Sequence, residues 1–133
     1  MDLIRINSSD IDKDVSSINL FIDDCKTDWE LIKETFPDKS RNMIFTNDEY
    51  EFMRLVVRNN LKNIFIDINM PTIDGFTILE ALKDYGRTHP KLWILTDHPV
   101  EYVEEKIKQK KFWLPEIAGV INKSDLQKIG DII

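Results

Sequence analysis

The sequence predicts an α/β domain in which a parallel five-stranded sheet is covered by helices on both faces. Three observations support this fold class. Short apolar runs alternate with segments whose apolar residues recur every three to four positions. The runs are continuously apolar, which is typical of strands buried on both faces of a parallel sheet. The length of 133 residues suits one domain with one core.

Five apolar runs are the candidate strands. They occupy residues 17–22 (SINLFI), 43–45 (MIF), 63–66 (NIFI), 92–95 (LWIL) and 119–121 (GVI). Each run is only a few residues long and is bounded by polar residues, which favours a strand over a helix. Because helical segments separate the runs, the connections are expected to be right-handed crossovers between parallel strands.

Helical spacing fills the segments between and after the runs. The apolar residues with this spacing are Trp29, Ile32 and Phe36; Tyr50, Met53, Val57 and Leu61; Phe76, Leu79, Leu82 and Tyr85; Val103 and Ile107; and Ile129 and Ile132. Thr27 or Asp28 is predicted to cap the first helix, and Ser124 the last. Gly86 is predicted to end the third helix, and Pro99 suits the first turn of the fourth.

The charge balance argues against nucleic acid as a direct partner. The chain carries a formal net charge of −6, with a pI near 4.9. Proteins that bind the phosphate backbone usually present a basic patch instead. One basic cluster, residues 106–111 (KIKQKK), sits among glutamates and is interpreted as the solvated end of a helix.

No membrane association or export is expected. No stretch approaches the roughly 20 apolar residues that a membrane span requires. Residues 1–16 are polar and aspartate-rich and lack the apolar core of a secretory signal, so we interpret them as a leader before one domain at residues 17–133. Cys25 is the single cysteine, which excludes a disulfide within the chain and favours a cytoplasmic location.

Polar side chains stand where the apolar runs stop. The first run ends in Asp23 and Asp24, the third in Asp67, the fourth in Thr96 and the fifth in Lys123. Ligands of doubly wound sheets bind beyond the carboxyl ends of the strands, so these side chains are expected to converge there. Carboxylates suit Mg²⁺, and a hydroxyl with a lysine suits phosphoryl oxygens. In the absence of metal, at least one carboxyl pKa should be raised by repulsion.

The segment after the third run is the most specific part of the chain. Residues 65–83 read FIDINMPTIDGFTILEALK. This segment resembles the response-regulator receiver family of two-component signalling, in which the phosphoacceptor aspartate precedes a Met-Pro turn and an Asp-Gly helix start. Together with the other strand ends, the resemblance extends over residues 19–133. It implies a CheY-like, flavodoxin-like (βα)5 fold with strand order 2-1-3-4-5.

The resemblance implies a Mg²⁺ site and a phosphorylation site. The metal would be held by the carboxylates of Asp24 and Asp67, by Asp23 directly or through water, and by the backbone carbonyl of Asn69. Asp67 would accept a phosphoryl group from a histidine kinase, a histidine phosphotransfer protein or a small acyl phosphate. Lys123 would neutralise the transferred oxygens. Thr96 would then bind one of those oxygens and pull its loop inward.

The resemblance also implies a regulatory role for a stand-alone domain. The chain is expected to be a phosphoacceptor that signals by contact with a downstream protein, and not an enzyme acting on other substrates. The sequence does not identify that protein. Members of the family commonly dimerise through the helix and strand after the switch threonine, so a homodimer is an open alternative.

Three positions depart from the family pattern. Val120 stands where an aromatic switch residue is usual, so this half of the switch is either missing or supplied by Phe112 or Trp113. Ser124 stands where a proline usually follows the lysine across a cis bond. Asp97 replaces a small residue after the threonine and is predicted to alter the lifetime of the phosphorylated state.

Two other functions compete with a phosphoacceptor. The three departures favour a pseudo-receiver, which keeps the fold as an interaction module without being phosphorylated. A phosphatase of the haloacid dehalogenase type also uses an aspartate at the end of a strand. That class is disfavoured because Asn69 stands where its second acid belongs, and because its acidic metal pair comes late in the chain, whereas Asp23 and Asp24 come early.

Overall fold

Five strands alternate with five helices in the part of the chain that a computed structural model describes, residues 18–85 and 90–133. The predicted leader at residues 1–16 and the predicted helix end at Gly86 lie outside the described residues. The strands are β1 (Asn19–Ile22), β2 (Met43–Thr46), β3 (Asn63–Asp67), β4 (Lys91–Thr96) and β5 (Gly119–Asn122). All five coincide with the predicted runs to within two residues at either end.

Four helices connect successive strands, and a fifth follows β5. They are α1 (Lys26–Thr35), α2 (Glu49–Arg58), α3 (Gly75–Tyr85), α4 (Val100–Gln109) and α5 (Leu126–Ile132). Two 3₁₀ segments, Pro37–Asn42 and Lys111–Trp113, follow α1 and α4. No helix in the two described ranges is both long enough and apolar enough to traverse a bilayer.

The strands form one sheet in the order β2-β1-β3-β4-β5, and every neighbouring pair is parallel. The predicted fold class and strand order are therefore confirmed. From β1 the chain crosses to β2 on one side and then returns to β3 on the other. The carboxyl ends of β1 and β3 consequently flank the point at which the strand order reverses, where ligands of such sheets bind.

Alternate side chains of each strand enter two separate cores. Leu20, Ile64 and Ile66 pack on one face with apolar residues of α2, α3 and α4. Phe21 and Phe65 pack on the other face with apolar residues of α1 and α5. Because both faces are covered, the strands read as continuous apolar runs, and the sheet is doubly wound.

An aromatic row crosses the sheet on the α1 and α5 face. Phe21 stacks on Phe45 and on Phe65, with ring centroids 4.6 and 4.5 Å apart. Phe65 and Trp93 extend the row to β4 at 6.4 Å. The four residues are register partners on adjacent strands, so stacking and backbone pairing specify the same alignment.

Hydrogen bonds between polar side chains fix the alignment of β1, β3 and β4 near their amino-terminal ends. Asn63 Nδ2 donates a buried hydrogen bond of 2.8 Å to Asn19 Oδ1, and the two residues are register partners. Asn63 Oδ1 in turn accepts a 2.9 Å hydrogen bond from Trp93 Nε1. A buried amide left unpaired is costly, so these bonds disfavour other registers.

The predicted N-cap of α1 is wrong. Cys25 occupies the cap position, instead of Thr27 or Asp28, and its side chain makes no capping bond. The cause is Asp23, whose Oδ1 accepts the Cys25 backbone N–H over 2.8 Å and turns the chain into the helix at that point. Asp28 consequently lies in the first turn of α1.

Two further details of the helices differ from the prediction. In α2 the buried residues are Phe52 and Val56, whereas Tyr50 is 72% exposed and Val57 is 47% exposed. Of the predicted stripe, Met53 and Leu61 do pack in the core, but both pairs recur at helical spacing, so periodicity alone did not identify Phe52 and Val56. The N-cap position of α5 is Asp125 and not Ser124.

Candidate functional site

Three carboxylates meet at the carboxyl ends of β1 and β3. Asp23 and Asp24 follow β1, Asp67 ends β3, and each contributes an oxygen that lies within 4.8 Å of the others. Asp23 and Asp67 are buried, and Asp24 is partly buried. Oxygen ligands of this kind fit Mg²⁺, which commonly binds one or two carboxylates together with phosphate and water. The strand ends predicted to converge are therefore together.

Backbone contacts hold Asp23 in place. Besides the hydrogen bond from the Cys25 N–H, the carbonyl oxygen of Asp23 accepts a 2.9 Å hydrogen bond from Trp29 Nε1. Trp29 lies on α1 and also packs against Phe45 in β2. The first helix and the neighbouring strand thus both fix the position of this carboxylate.

The pKa of Asp23 is raised from 3.8 to about 6. Burial is the largest cause, and hydrogen bonds from Cys25 and Lys123 and the Lys123 charge oppose it. The charge of Asp67 also raises the pKa, but it is the smallest of these causes. The expected rise is present, although burial dominates over the repulsion from which it was predicted.

Asp67 is oriented through both of its carboxylate oxygens. Oδ1 accepts a 2.9 Å hydrogen bond from the backbone N–H of Asn69, and Oδ2 lies 3.1 Å from Lys123 Nζ. The Asn69 N–H bond fixes one end of the loop after β3. The contact with Lys123 joins the ends of β3 and β5. The carboxylate thus has a defined orientation at the edge of the sheet.

The Asp-Gly pair after this loop has two separate roles. Asp74 Oδ1 accepts a 2.9 Å hydrogen bond from the Phe76 N–H, which starts α3. Gly75 lies so close to β3 that a Cβ atom there would come within 2.9 Å of the Asp67 carbonyl oxygen and of Ile68 Cα. Both contacts are backbone atoms that cannot move aside. Asp74 and Gly75 therefore form the start of α3, in agreement with the Asp-Gly helix start that the resemblance implies.

Lys123 contacts three carboxylates at once. Its Nζ lies 2.8 Å from Asp28, 3.0 Å from Asp23 and 3.1 Å from Asp67. Burial alone lowers the pKa of Lys123, but the hydrogen bonds to Asp28 and Asp23 and the charges of Asp23 and Asp67 outweigh burial and raise it. The ammonium is thus strongly held in its charged form. Asp28 is the site residue that sequence reasoning missed, having been considered only as a helix cap.

Thr96 ends β4 and is fully buried. Its Oγ1 donates to Asn69 Oδ1 over 3.1 Å and accepts a 2.8 Å hydrogen bond from the His98 N–H. The Thr96 carbonyl accepts a 2.8 Å hydrogen bond from the Lys123 N–H. Thr96 therefore touches the loops after β3, β4 and β5. The role of the Asn69 backbone carbonyl as a metal ligand stays a prediction.

Ser124 is built into a turn after Lys123. Its backbone N–H and its hydroxyl both donate to Asn122 Oδ1, over 2.9 and 2.7 Å. Asn122 Nδ2 donates to the His98 carbonyl over 2.8 Å. With its hydroxyl committed to Asn122, Ser124 does not cap α5. A side-chain network connects the loop after β5 to the loop after β4.

The other two departures lie at different places. Val120 is partly buried and packs against the core on the α4 side of the sheet. Phe112 and Trp113 are 84% and 60% exposed and follow the end of α4, at the opposite end of the sheet from Thr96. They therefore do not replace the aromatic residue missing at Val120. Asp97 is exposed beside Thr96, and its backbone N–H points to Asn69 Oδ1 at 3.4 Å.

Comparison with solved structures finds the same fold. The Francisella response regulator 1452 receiver domain is 25% identical, with a TM-score of 0.66 over 84% of this chain and 88% of that one. A response regulator from Thermotoga maritima is 13% identical, with a TM-score of 0.66 over 87% and 96%. The receiver domain of the Arabidopsis thaliana histidine kinase CKI1, complexed with Mg²⁺ and BeF3⁻, is 17% identical, with a TM-score of 0.63 over 92% and 95%.

Sequence comparison gives the family. No curated protein sequence matches the chain significantly. The family model described as "Response regulator receiver domain" matches residues 20–124. This range includes all the site residues at the carboxyl ends of the strands, namely Asp23, Asp24, Asp67, Thr96 and Lys123. This match covers most of the chain. The chain therefore belongs to the response regulator receiver domain family.

Proposed function

We propose that this receiver domain is a phosphoacceptor in two-component signalling and that Asp67 carries the phosphoryl group. The observation that carries the proposal is the position of the Asp67 carboxylate, which lies close to two further carboxylates and to the Lys123 ammonium. A buried acid with only a structural role would need a partner for its charge, but not two additional acids beside it. A site for a cation and a phosphoryl group accounts for all four side chains.

A Mg²⁺ ion is the proposed cofactor. Asp23, Asp24 and Asp67 would hold it through carboxylate oxygens, and Asn69 through its backbone carbonyl. When bound, the ion supplies positive charge that stabilises the phosphoryl oxygens during transfer. The carboxylate set supports this assignment, because hard oxygen ligands are those that Mg²⁺ selects.

The proposed reaction is an in-line displacement. A carboxylate oxygen of Asp67 forms a bond to phosphorus while the bond from phosphorus to the imidazole nitrogen of a phosphohistidine breaks. The released imidazole retains the electron pair of that bond. Lys123 offers an N–H donor to the transferred oxygens, since its Nζ already lies 3.1 Å from the accepting carboxylate. The donor is a histidine kinase or a histidine phosphotransfer protein.

Thr96 is the proposed reporter of phosphorylation. Its hydroxyl is bound to Asn69 at the rim of the site and would move to a phosphoryl oxygen on Asp67. That exchange would move the loop that joins β4 to α4. The state with the additional contact is favoured only by the differential binding energy, as in any two-state switch.

The proposed role is regulatory and depends on protein contacts. The domain acts in the cytoplasm, receives its phosphoryl group from one protein and signals to another by direct contact. It catalyses only its own phosphorylation and dephosphorylation. The net charge of −6 supports a partner other than nucleic acid.

Intact-mass spectrometry after incubation with acetyl phosphate and Mg²⁺ tests the proposal. The wild type should gain the mass of one phosphoryl group, and Asp67→Asn should gain nothing. Asp74→Asn is the matched control, because it removes a carboxylate from the same loop while retaining the oxygen that caps α3. The control should be phosphorylated like the wild type.

A pseudo-receiver is the alternative that the same experiment decides. It is favoured by Val120, Ser124 and Asp97, none of which has the side chain usual in the family. If the wild type gains no phosphoryl group and binds no beryllofluoride in the presence of Mg²⁺, the domain is an interaction module. Phosphorylation that persists in Asp67→Asn would instead place the acceptor at another residue.

A further inference from the structure

The closest contact of Lys123 comes from outside the carboxylate cluster. Asp28 Oδ2 lies 2.8 Å from Lys123 Nζ, nearer than either Asp23 or Asp67. Asp28 is in the first turn of α1, and its side chain is 32% exposed, whereas the Asp23 and Asp67 side chains are 2% and 3% exposed. Helix α1 therefore provides the main anchor for a side chain that arrives from the end of β5.

Of the three N–H donors of the ammonium, one hydrogen-bonds to Asp28 and one to Asp67, and Asp23 forms an ion pair with the same group. Two of the acceptors, Asp23 and Asp67, are proposed metal ligands, and Asp67 would also carry the phosphoryl group. Their oxygens must therefore change partners when the site is loaded. Asp28 takes part in neither event. Its carboxylate is the acceptor that can hold Nζ at one position before and after phosphorylation.

The surroundings of Lys123 explain why its ammonium needs this anchor. The Lys123 side chain is only 13% exposed, and beside it lies a small cavity lined largely by apolar residues. The apolar lining residues contributed by the helices are Leu31 and Ile32 of α1 and Leu126 and Ile129 of α5, and Asp28 itself lines the cavity from α1. These apolar side chains offer no hydrogen-bond acceptor to the ammonium at the end of the flexible four-carbon stem. Without Asp28, the ammonium would be oriented only by the groups that are to react.

We propose that Asp28 is a positioning residue that fixes the Lys123 ammonium for contact with the phosphoryl group, an inference that rests on the proposed function. In this role Asp28 would act through Lys123 and would bind neither the metal nor the phosphoryl group. It occupies one N–H donor and leaves the other two directed at the strand ends. An acceptor oxygen at this position is what the role requires, so asparagine should largely replace aspartate here.

The opposite role, in which Asp28 slows phosphorylation, also has a physical basis. A carboxylate bound to Lys123 could compete with the phosphoryl group for the ammonium and repel its negative charge. Removing the side chain would then speed phosphorylation. The geometry favours the anchor, because the N–H now directed at Asp67 can pass to a phosphoryl oxygen on that residue while the contact with Asp28 stays in place.

The test compares Asp28→Ala, Asp28→Asn and Glu30→Ala in the full chain. Glu30 lies on the same helix, is 65% exposed and pairs with Lys33 at 3.6 Å, so its removal controls for the loss of one negative charge from α1. The rate of phosphorylation by acetyl phosphate is measured for each variant. Mg²⁺ affinity is followed through tryptophan fluorescence, since Trp29 Nε1 donates a hydrogen bond to the carbonyl oxygen of Asp23. Thermal unfolding confirms that each variant folds.

Asp28→Ala should be phosphorylated about tenfold more slowly, the effect of losing one hydrogen bond to a charged group. Asp28→Asn should keep most of the rate, Glu30→Ala should match the wild type, and Mg²⁺ affinity should change by less than about twofold in all three, because no metal ligand is altered. The inference is overturned if Asp28→Ala reacts as fast as the wild type or faster, or if Asp28→Asn is as slow as Asp28→Ala. A wild type that takes no phosphoryl group overturns the proposed function and this inference with it.

Discussion

The hydroxyl of Thr96 donates a 3.1 Å hydrogen bond to the side-chain oxygen of Asn69. This bond joins the end of β4 to the loop that follows Asp67, the proposed phosphoacceptor. Asn69 Oδ1 also receives the Asp97 N–H at 3.4 Å, so one amide oxygen holds two groups of the β4–α4 loop. The proposed switch requires Thr96 to exchange this acceptor for a phosphoryl oxygen. Asn69 is therefore the competitor of the phosphoryl group for the threonine.

Asn69→Ala should tighten beryllofluoride binding a few-fold, because a competing hydrogen bond of about 1 kcal/mol is removed. The backbone carbonyl proposed to bind Mg²⁺ remains in the variant. Titration with beryllofluoride at saturating Mg²⁺ measures the effect. In a Thr96→Val background the Asn69 substitution should have no further effect, and an equal gain in both backgrounds would exclude coupling between the two residues.

Ionisation of Asp23 should destabilise the metal-free protein. Its pKa is about 6 in the folded state against 3.8 ordinarily, so the folded state binds the proton more tightly than the unfolded state does. The stabilising contribution is present below pH 4 and is lost as the pH rises through 6. The loss amounts to about 3 kcal/mol for a shift of this size.

Urea unfolding between pH 4 and pH 7 in the presence of a chelator measures this loss. Asp23→Asn cannot ionise, so its free energy of unfolding should increase relative to the wild type as the pH rises. Added Mg²⁺ should stabilise the wild type near pH 7 and affect the variant less. A difference between the two proteins that is independent of pH would contradict the assignment.

Gly75→Ala should destabilise the domain by about 1–3 kcal/mol, a typical cost of inserting a methyl group into filled space. The new Cβ would press on the Asp67 carbonyl oxygen and on the Ile68 backbone. Mg²⁺ binding should weaken as well, because Asp67 is displaced. Thr77→Ala, at an exposed position of the same helix, should be close to neutral. Thermal unfolding and Mg²⁺ titration would refute the prediction if both variants behaved alike.

Asp97→Ala should shorten the lifetime of phospho-Asp67, because we expect the exposed carboxylate next to Thr96 to keep water away from the phosphoryl group. The loss of the phosphoryl group after removal of the donor measures the lifetime. Asp97→Asn retains the size of the side chain without its charge, and so separates shielding by bulk from repulsion. Equal lifetimes in the wild type and Asp97→Ala would show that this position plays no part in hydrolysis.

The fold was predictable because its main signals are local. Continuous apolar runs such as residues 63–66 identify buried strands, and their polar ends identify one edge of the sheet. The convergence of Asp23, Asp67, Thr96 and Lys123 follows from topology once the strands are parallel, since every carboxyl end then lies on the same side.

The contacts that were missed join distant parts of the chain. Asp28 and Lys123 are 95 positions apart, and the local pattern around Asp28 indicates only a helix cap. Ser124 was predicted to be a cap for the same reason, but its hydroxyl donates a hydrogen bond to Asn122 instead. In α2, two apolar stripes compete, and only packing against the sheet decides that Phe52 is buried and Tyr50 is not.

The amide pair of Asn19 and Asn63 has a consequence far from its own position. Asp23 and Asp67 each come four residues after these asparagines, Asp23 directly after β1 and Asp67 at the end of β3. The paired amides and the two carboxylates therefore lie at opposite ends of the same pair of strands. Sliding one strand by a single residue would offset the two acids by about 3.3 Å. The amide pair fixes the register of the two strands at their amino-terminal end. This register in turn sets the distance between the two carboxylates that are proposed to bind one cation.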